Sequence, residues 1–150
     1  MSLKEQIQTE MKTAMRSKDK VALQALRAIK SAILLAETSE GREPGPLSAD
    51  DEMKLLIKQA KQRRDSAEQY RKNGRDDLAE VEEAELAVVE RFLPKQLSEE
   101  EIEAEVQAII AETGASSMKD MGRVMGVATK KLAGRADGKA ISGIVRKLLG

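Results

Sequence analysis

Neither histidine nor cysteine occurs in these 150 residues, tryptophan is absent as well, and the aromatic side chains are limited to Tyr70 and Phe92. Histidine is the one side chain whose unperturbed pKa lies in the physiological window, and cysteine is the most readily activated nucleophile. Their absence excludes Ser/His and Cys/His triads, zinc sites built on Cys or His, and disulfides. Carboxylates, lysines and hydroxyls remain available for chemistry, but the expectation shifts toward a binding module with no metal and no cofactor. No apolar run is long enough to span a bilayer, and the opening Met1–Gln6 is too polar for a signal peptide. No membrane partner is expected, and the cysteine-free composition suits a cytoplasmic location.

What is present is charge and aliphatic bulk. Charged residues make up 35% of the chain and hydrophobic residues 41%. With so few aromatics, that balance indicates an all-α protein built on Leu, Ile, Val, Met and Ala rather than a β-sandwich. The net charge of zero conceals segregation: residues 1–75 carry sixteen Lys/Arg against eleven Asp/Glu, residues 76–117 two against thirteen, and residues 118–150 eight against two. An acidic centre is thus followed by a strongly basic end. Such blocks either complement one another within the fold or mark surfaces for partners.

Periodicity and capping signals divide the chain into helices. Ser2 with Glu5 forms a capping box ahead of Leu3, Ile7, Met11, Ala14 and Met15. Asp19 caps a second helix carrying Leu23, Leu26, Ile29 and Ile33, and residues 39–46, with two prolines and two glycines, predict a mobile loop. Ser48 opens a long helix that Asn73-Gly74 stops, and helical character resumes from Arg75 to Phe92 before Pro94. Ser98 with Glu101, the spacing of Ser117 and Asp120, and Asp137 start three shorter helices. The reading is an N-terminal helical subdomain over residues 1–93, of about four helices including a long hairpin, and a three-helix subdomain over residues 94–150. The methionines at 11, 15, 118, 121 and 125 are assigned to the core.

Two constellations could carry function. If Gly74 folds the third helix back on the fourth, residues whose numbers sum to about 148 face each other. That register brings Arg63, Ser66, Glu82 and Glu85 into the hairpin seam. Glu82 and Glu85 could act as a general acid/base or cation-binding pair with Ser66 beside them, or as ion-pair partners of Arg63 that fix the register. The second constellation is the basic end. Gly134 to Gly138 forms a glycine-bounded turn before a helix, edged by Lys130, Lys131, Arg135 and Lys139, with Arg123, Arg146 and Lys147 in support. Lysine and arginine around a turn at a helix N-terminus suit phosphate, with Gly134 and Gly138 allowing close approach. A Walker A loop is excluded because Ala140 stands where Ser or Thr would be needed. A shortage of aromatics disfavours base stacking, so any RNA bound would be structured RNA read through shape and backbone. The glycines at 122 and 126 lie on one side of a helix and predict close packing against the last helix.

Taken in order, K-x-R-x-x-S at Lys61–Ser66, Tyr70, Gly74-Arg75, E-x-x-E at Glu82 and Glu85, L-P-K-Q-L at Leu93–Leu97, M-G-x-V-M at Met121–Met125 and G-R-A-D-G-K at Gly134–Lys139 resemble the YqeY family. The resemblance implies an all-α fold in two helical parts. It also implies kinship with the C-terminal tail of the B subunit of the glutamine-dependent Asp-tRNA/Glu-tRNA amidotransferase, a tail that engages tRNA while activation occurs in a separate larger domain. Nothing in this chain corresponds to that domain. The functional expectation is therefore a free-standing tRNA-binding helical module without catalysis of its own. The alternatives are an amidotransferase-associated or amidase-type enzyme using Glu82, Glu85 and Ser66, for which a carbon–nitrogen ligase label would come from kinship, and an adaptor whose acidic helix over Ser98–Glu112 meets a protein partner.

Overall fold

Four of the helices begin where a side-chain oxygen takes up an amide that the first turn leaves without a partner. In the computed structural model, which describes residues 1–150, Ser2 opens α1 (Leu3–Ser17) with a reciprocal box. Its hydroxyl accepts from the Glu5 N–H at 3.2 Å, while the Glu5 carboxylate accepts from the Ser2 N–H at 2.9 Å. Asp19 caps α2 (Lys20–Glu37) by accepting from the Ala22 N–H at 3.0 Å, and Ser48 caps α3 (Ala49–Lys72) by accepting from the Asp51 N–H at 3.1 Å. Helix α4 spans Asp76–Glu90. After Pro94 come α5 (Glu99–Thr113) with its Ser98/Glu101 box, a 3₁₀ turn over Met118–Asp120, α6 (Met121–Lys131) and α7 (Gly138–Leu149). The fold is all-α, with seven α-helices and no strand. No helix is long and apolar enough to cross a membrane.

The chain divides into two units, Met1–Leu93 and Pro94–Gly150. In the first, α1, α2, α3 and α4 close over a core in which Ile7, Leu26, Ile29 and Val89 are wholly buried. Burying each such side chain contributes about 1.5–3 kcal/mol, which is how helices this rich in charge remain folded. The α3–α4 reversal depends on Gly74, whose φ of +71° is costly for any residue with a Cβ, and on the Arg75 N–H, which donates to the Tyr70 carbonyl at 2.8 Å. In the second unit Val106, Ile109, Val124, Leu132 and Val145 form the centre of a separate core shared by α5, α6 and α7.

Three local expectations are corrected. The segment at 39–46 is a loop as expected, and within it the Arg42 guanidinium donates to the carbonyls of Glu37, Glu43, Gly45 and Pro46 at 2.9–3.2 Å. One side chain thereby satisfies four acceptors that two prolines and two glycines leave without a regular partner. Met15 and Met118 are exposed rather than core, while Met11, Met121 and Met125 are half-buried. Gly122 and Gly126 do not accommodate a neighbouring helix: both are exposed, and a Cβ built on either would meet open space. Asp137 stands at the start of α7 but makes no side-chain capping bond there.

Candidate functional site

The hairpin seam gathers the carboxylates. The constant-sum register holds: Arg63 Nη1 lies 2.7 Å from Glu85 Oε2 and 3.3 Å from Glu82 Oε2. Nearer the turn, Arg71 of α3 contacts Glu83 at 2.7 Å and Asp76 at 3.4 Å, so a second arginine ties the same two helices. Glu85 is 2% exposed and is the one charged side chain that the fold buries. Its Oε1 and the Nε of Arg63 are buried with no hydrogen-bond partner in the chain. Burial raises the Glu85 pKa above its ordinary value; the Arg63 charge opposes the rise and Glu82 adds to it. Ser66 is half-buried one turn beyond Arg63 on α3.

This geometry limits what the seam can do. A single guanidinium lies against both carboxylates, so a divalent cation would have to displace a resident positive charge. A general base would likewise have to leave Arg63 before it could reach a substrate. No group of three or more carboxylates converges to hold a metal. The arrangement performs a clear mechanical task, fixing the register of α3 against α4.

The basic residues of the second unit fall at two places. Lys130 and Lys131 occupy the last turn of α6, where the negative end of the helix dipole favours cations. Arg135 follows in the connecting turn and donates from Nη2 to the Lys131 carbonyl at 3.2 Å, covering the helix end. Lys139 lies in the first turn of α7. These four surround the connection between the helices. Arg123 does not join them: it sits on the same stripe of α6 about 10 Å away by helical rise and pairs with Asp120 at 3.3 Å. Arg146 and Lys147 are likewise remote, in the last turn of α7.

Of the two glycines in the turn, Gly134 is buried with φ +78°, so it shapes the reversal, whereas Gly138 is exposed and faces open space. Gly138 alone leaves room for close approach. Part of the basic charge is answered inside the unit, since Lys131 meets Glu105 at 3.6 Å and Lys147 meets Glu103 at 3.7 Å. With Glu101 committed to the cap, several acids of α5 already have intramolecular partners. Glu99, Glu100 and Glu112 stay exposed on the same helix.

Sequence reasoning overlooked two residues beside the turn. The Gln96 side chain donates from Nε2 to the Gly134 carbonyl at 2.7 Å and to the Pro94 carbonyl at 3.0 Å. The next residue, Leu97, donates its N–H to the Arg135 carbonyl at 2.8 Å. The L-P-K-Q-L and G-R-A-D-G-K segments are therefore bonded to each other, and Lys95 is carried to the same end of the unit. The signal available was a polar residue with both donor and acceptor capacity between Pro94 and the apolar Leu97, but its partner lies 38 positions away.

With this geometry in place, comparison with known proteins gives a consistent picture. A family model described as Yqey-like protein matches residues 4–149. A protein of Pyrenophora tritici-repentis named "Altered inheritance of mitochondria protein 41, mitochondrial" is 32% identical over 96% of this chain and 79% of its own length. Proteins of the same name from Meyerozyma guilliermondii (37% identical over 58% of this chain) and Lachancea thermotolerans (32% over 74%) are also similar. The chain covers 44% and 59% of those two, less than two thirds of either. These names correct the cytoplasmic expectation, because the relatives are named as mitochondrial. A chain without cysteine forms no disulfides, but that absence carries no address.

Proposed function

The chain belongs to the YqeY-like family, and from that premise we propose that it binds structured RNA, with tRNA as the intended class, through the basic turn between α6 and α7. The observation that carries the reading is the grouping of Lys130, Lys131, Arg135 and Lys139 around one connection whose backbone is held by Gln96 and Leu97. Phosphate recognition needs cations at a defined place and no sequence-specific groups. Lys130 and Lys131 are exposed there, and the Glu105 contact at 3.6 Å is long enough for a phosphate to compete with. Arg123, Arg146 and Lys147 would add long-range attraction without touching the same phosphates. The kinship with an amidotransferase tail that the family resemblance implies supports tRNA as the partner. Carbon–nitrogen ligase chemistry is not part of the reading, because Glu82 and Glu85 are both held by Arg63.

A backbone reader with two aromatics should be indifferent to sequence and demand structure. Two tRNAs of unrelated sequence should bind with affinities within about threefold of each other, while polyuridine of equal length binds at least about tenfold more weakly. Filter retention at fixed low salt measures both. Equal retention of polyuridine and tRNA, or no retention of either, would contradict the proposal.

A further inference from the structure

We propose that the phosphate-binding surface is composite, with Gln96 as the positioning residue that clamps the α6–α7 turn and Lys95 as an additional cation of the site. The inference rests on the RNA reading for the role of Lys95 and stands on geometry alone for the role of Gln96.

The clamp has three bonds. Both hydrogens of the Gln96 amide are used, one toward Gly134 and one toward Pro94, and both acceptors are backbone carbonyls. That fixes the amide orientation, since a flipped amide would set its oxygen against two carbonyl oxygens. The Leu97 N–H supplies the third bond, to Arg135. The Leu97 side chain packs against the core of the unit together with Ala136 from the turn, so the strap has an apolar anchor beneath its polar contacts. The turn also has internal bonds, from the Arg135 and Ala136 N–H groups to the Leu132 carbonyl at 2.9 and 3.2 Å. Those bonds close the end of α6 but leave the carbonyls of Gly134 and Arg135 to be satisfied from outside. The strap satisfies both.

The position of Lys95 argues for a ligand. It is exposed, adjoins the residue bonded to the turn, and lies near the N-terminal end of α5, where its charge acts on Glu101. Through the Gln96 and Leu97 bonds Lys95 is held beside Gly134 and Arg135, next to the positive charge of the turn. A phosphate backbone laid across the turn would draw on it together with Arg135. The sequence thus places a lysine directly before the clamp, where the clamp's rigidity is passed to it.

The test uses the full chain with Gln96→Leu, Lys95→Ala and wild type, read by amide hydrogen exchange at Leu97 and by retention of tRNA across a salt series. Gln96→Leu is expected to speed Leu97 exchange by tenfold or more and to weaken tRNA binding several-fold, with melting temperature showing that the unit remains folded. Lys95→Ala is expected to leave exchange unchanged and to flatten the slope of log K on log salt by about one phosphate contact, roughly 0.7–0.9. Unchanged exchange and unchanged binding in Gln96→Leu would overturn the clamp, and an unchanged slope in Lys95→Ala would overturn the added cation. If wild type retains no tRNA, the RNA reading and the role of Lys95 both fall, while exchange at Leu97 still decides the clamp.

Discussion

Alanine at both Lys131 and Arg135 is expected to weaken tRNA binding about ten- to thirtyfold near physiological salt and to flatten the salt dependence by about 1.4–1.8. The slope is the more diagnostic quantity, because it counts phosphate contacts rather than general loss of affinity. Lys131 ends α6 and Arg135 lies in the turn that follows, and neither contributes a side chain to the core. Helicity by circular dichroism should therefore stay at the wild-type level. Glu105 provides a control of opposite sign. It contacts Lys131 at 3.6 Å, so Glu105→Gln releases a cation and should tighten tRNA binding by a fewfold. A double variant that binds as wild type does, or a Glu105→Gln protein that binds more weakly, would move the site away from this turn.

Arg63→Ala is expected to be the most destabilising single change in the hairpin, by about 3–5 kcal/mol, because it leaves Glu85 buried without its counter-charge. Glu82 lies within one turn of Glu85, so the variant would also set two carboxylates against each other. Glu85→Gln should behave differently. It should cost less than Arg63→Ala, because Arg63 keeps its contact with Glu82 at 3.3 Å and a neutral amide at the buried position no longer carries the cost of burying a charge. The pH dependence follows with a definite sign. The folded-state pKa of Glu85 is raised above its unfolded value near 4.5, so between the two values the native state holds the extra proton and stability falls as pH rises. That contribution is fully present below about 4.5 and is lost as pH climbs through the raised folded value. Arg63→Ala should push the folded value higher and widen the window, whereas Glu85→Gln should abolish it. Chemical denaturation of the three proteins at several pH values separates these cases. An Arg63→Ala protein as stable as wild type at neutral pH would show that the pair does not hold the register.

The helix starts were legible because capping is local. Ser2, Asp19, Ser48 and Ser98 each lie three residues or fewer from the amide they satisfy. The Arg63–Glu85 contact was legible for a related reason: a glycine turn fixes one point of the hairpin, and helical geometry carries the register outward from it. What escaped was set by contacts across the chain. Nothing near Gln96 in sequence reveals Gly134 as its partner, and nothing near Arg42 states that one guanidinium gathers four carbonyls. Gly122 and Gly126 misled because a glycine pair in a helix reads the same whether a neighbour covers it or solvent does. Met15 falls at the edge of a helical stripe that emerges from the core, and Met118 opens a short 3₁₀ turn that buries none of its residues. The basic end could be read as a charge block, but only the fold separates the cluster at Lys130, Lys131 and Arg135, at and just beyond the end of α6, from Arg123 in the first turn of α6 and Lys147 in the last turn of α7.

The most direct test of the central claim is retention of total tRNA by the full chain, measured from low to physiological salt. The account predicts saturable binding whose logarithm falls linearly with the logarithm of salt, at a slope of about three to four phosphate contacts. Binding that is absent at low salt, or that shows no dependence on salt, would contradict it.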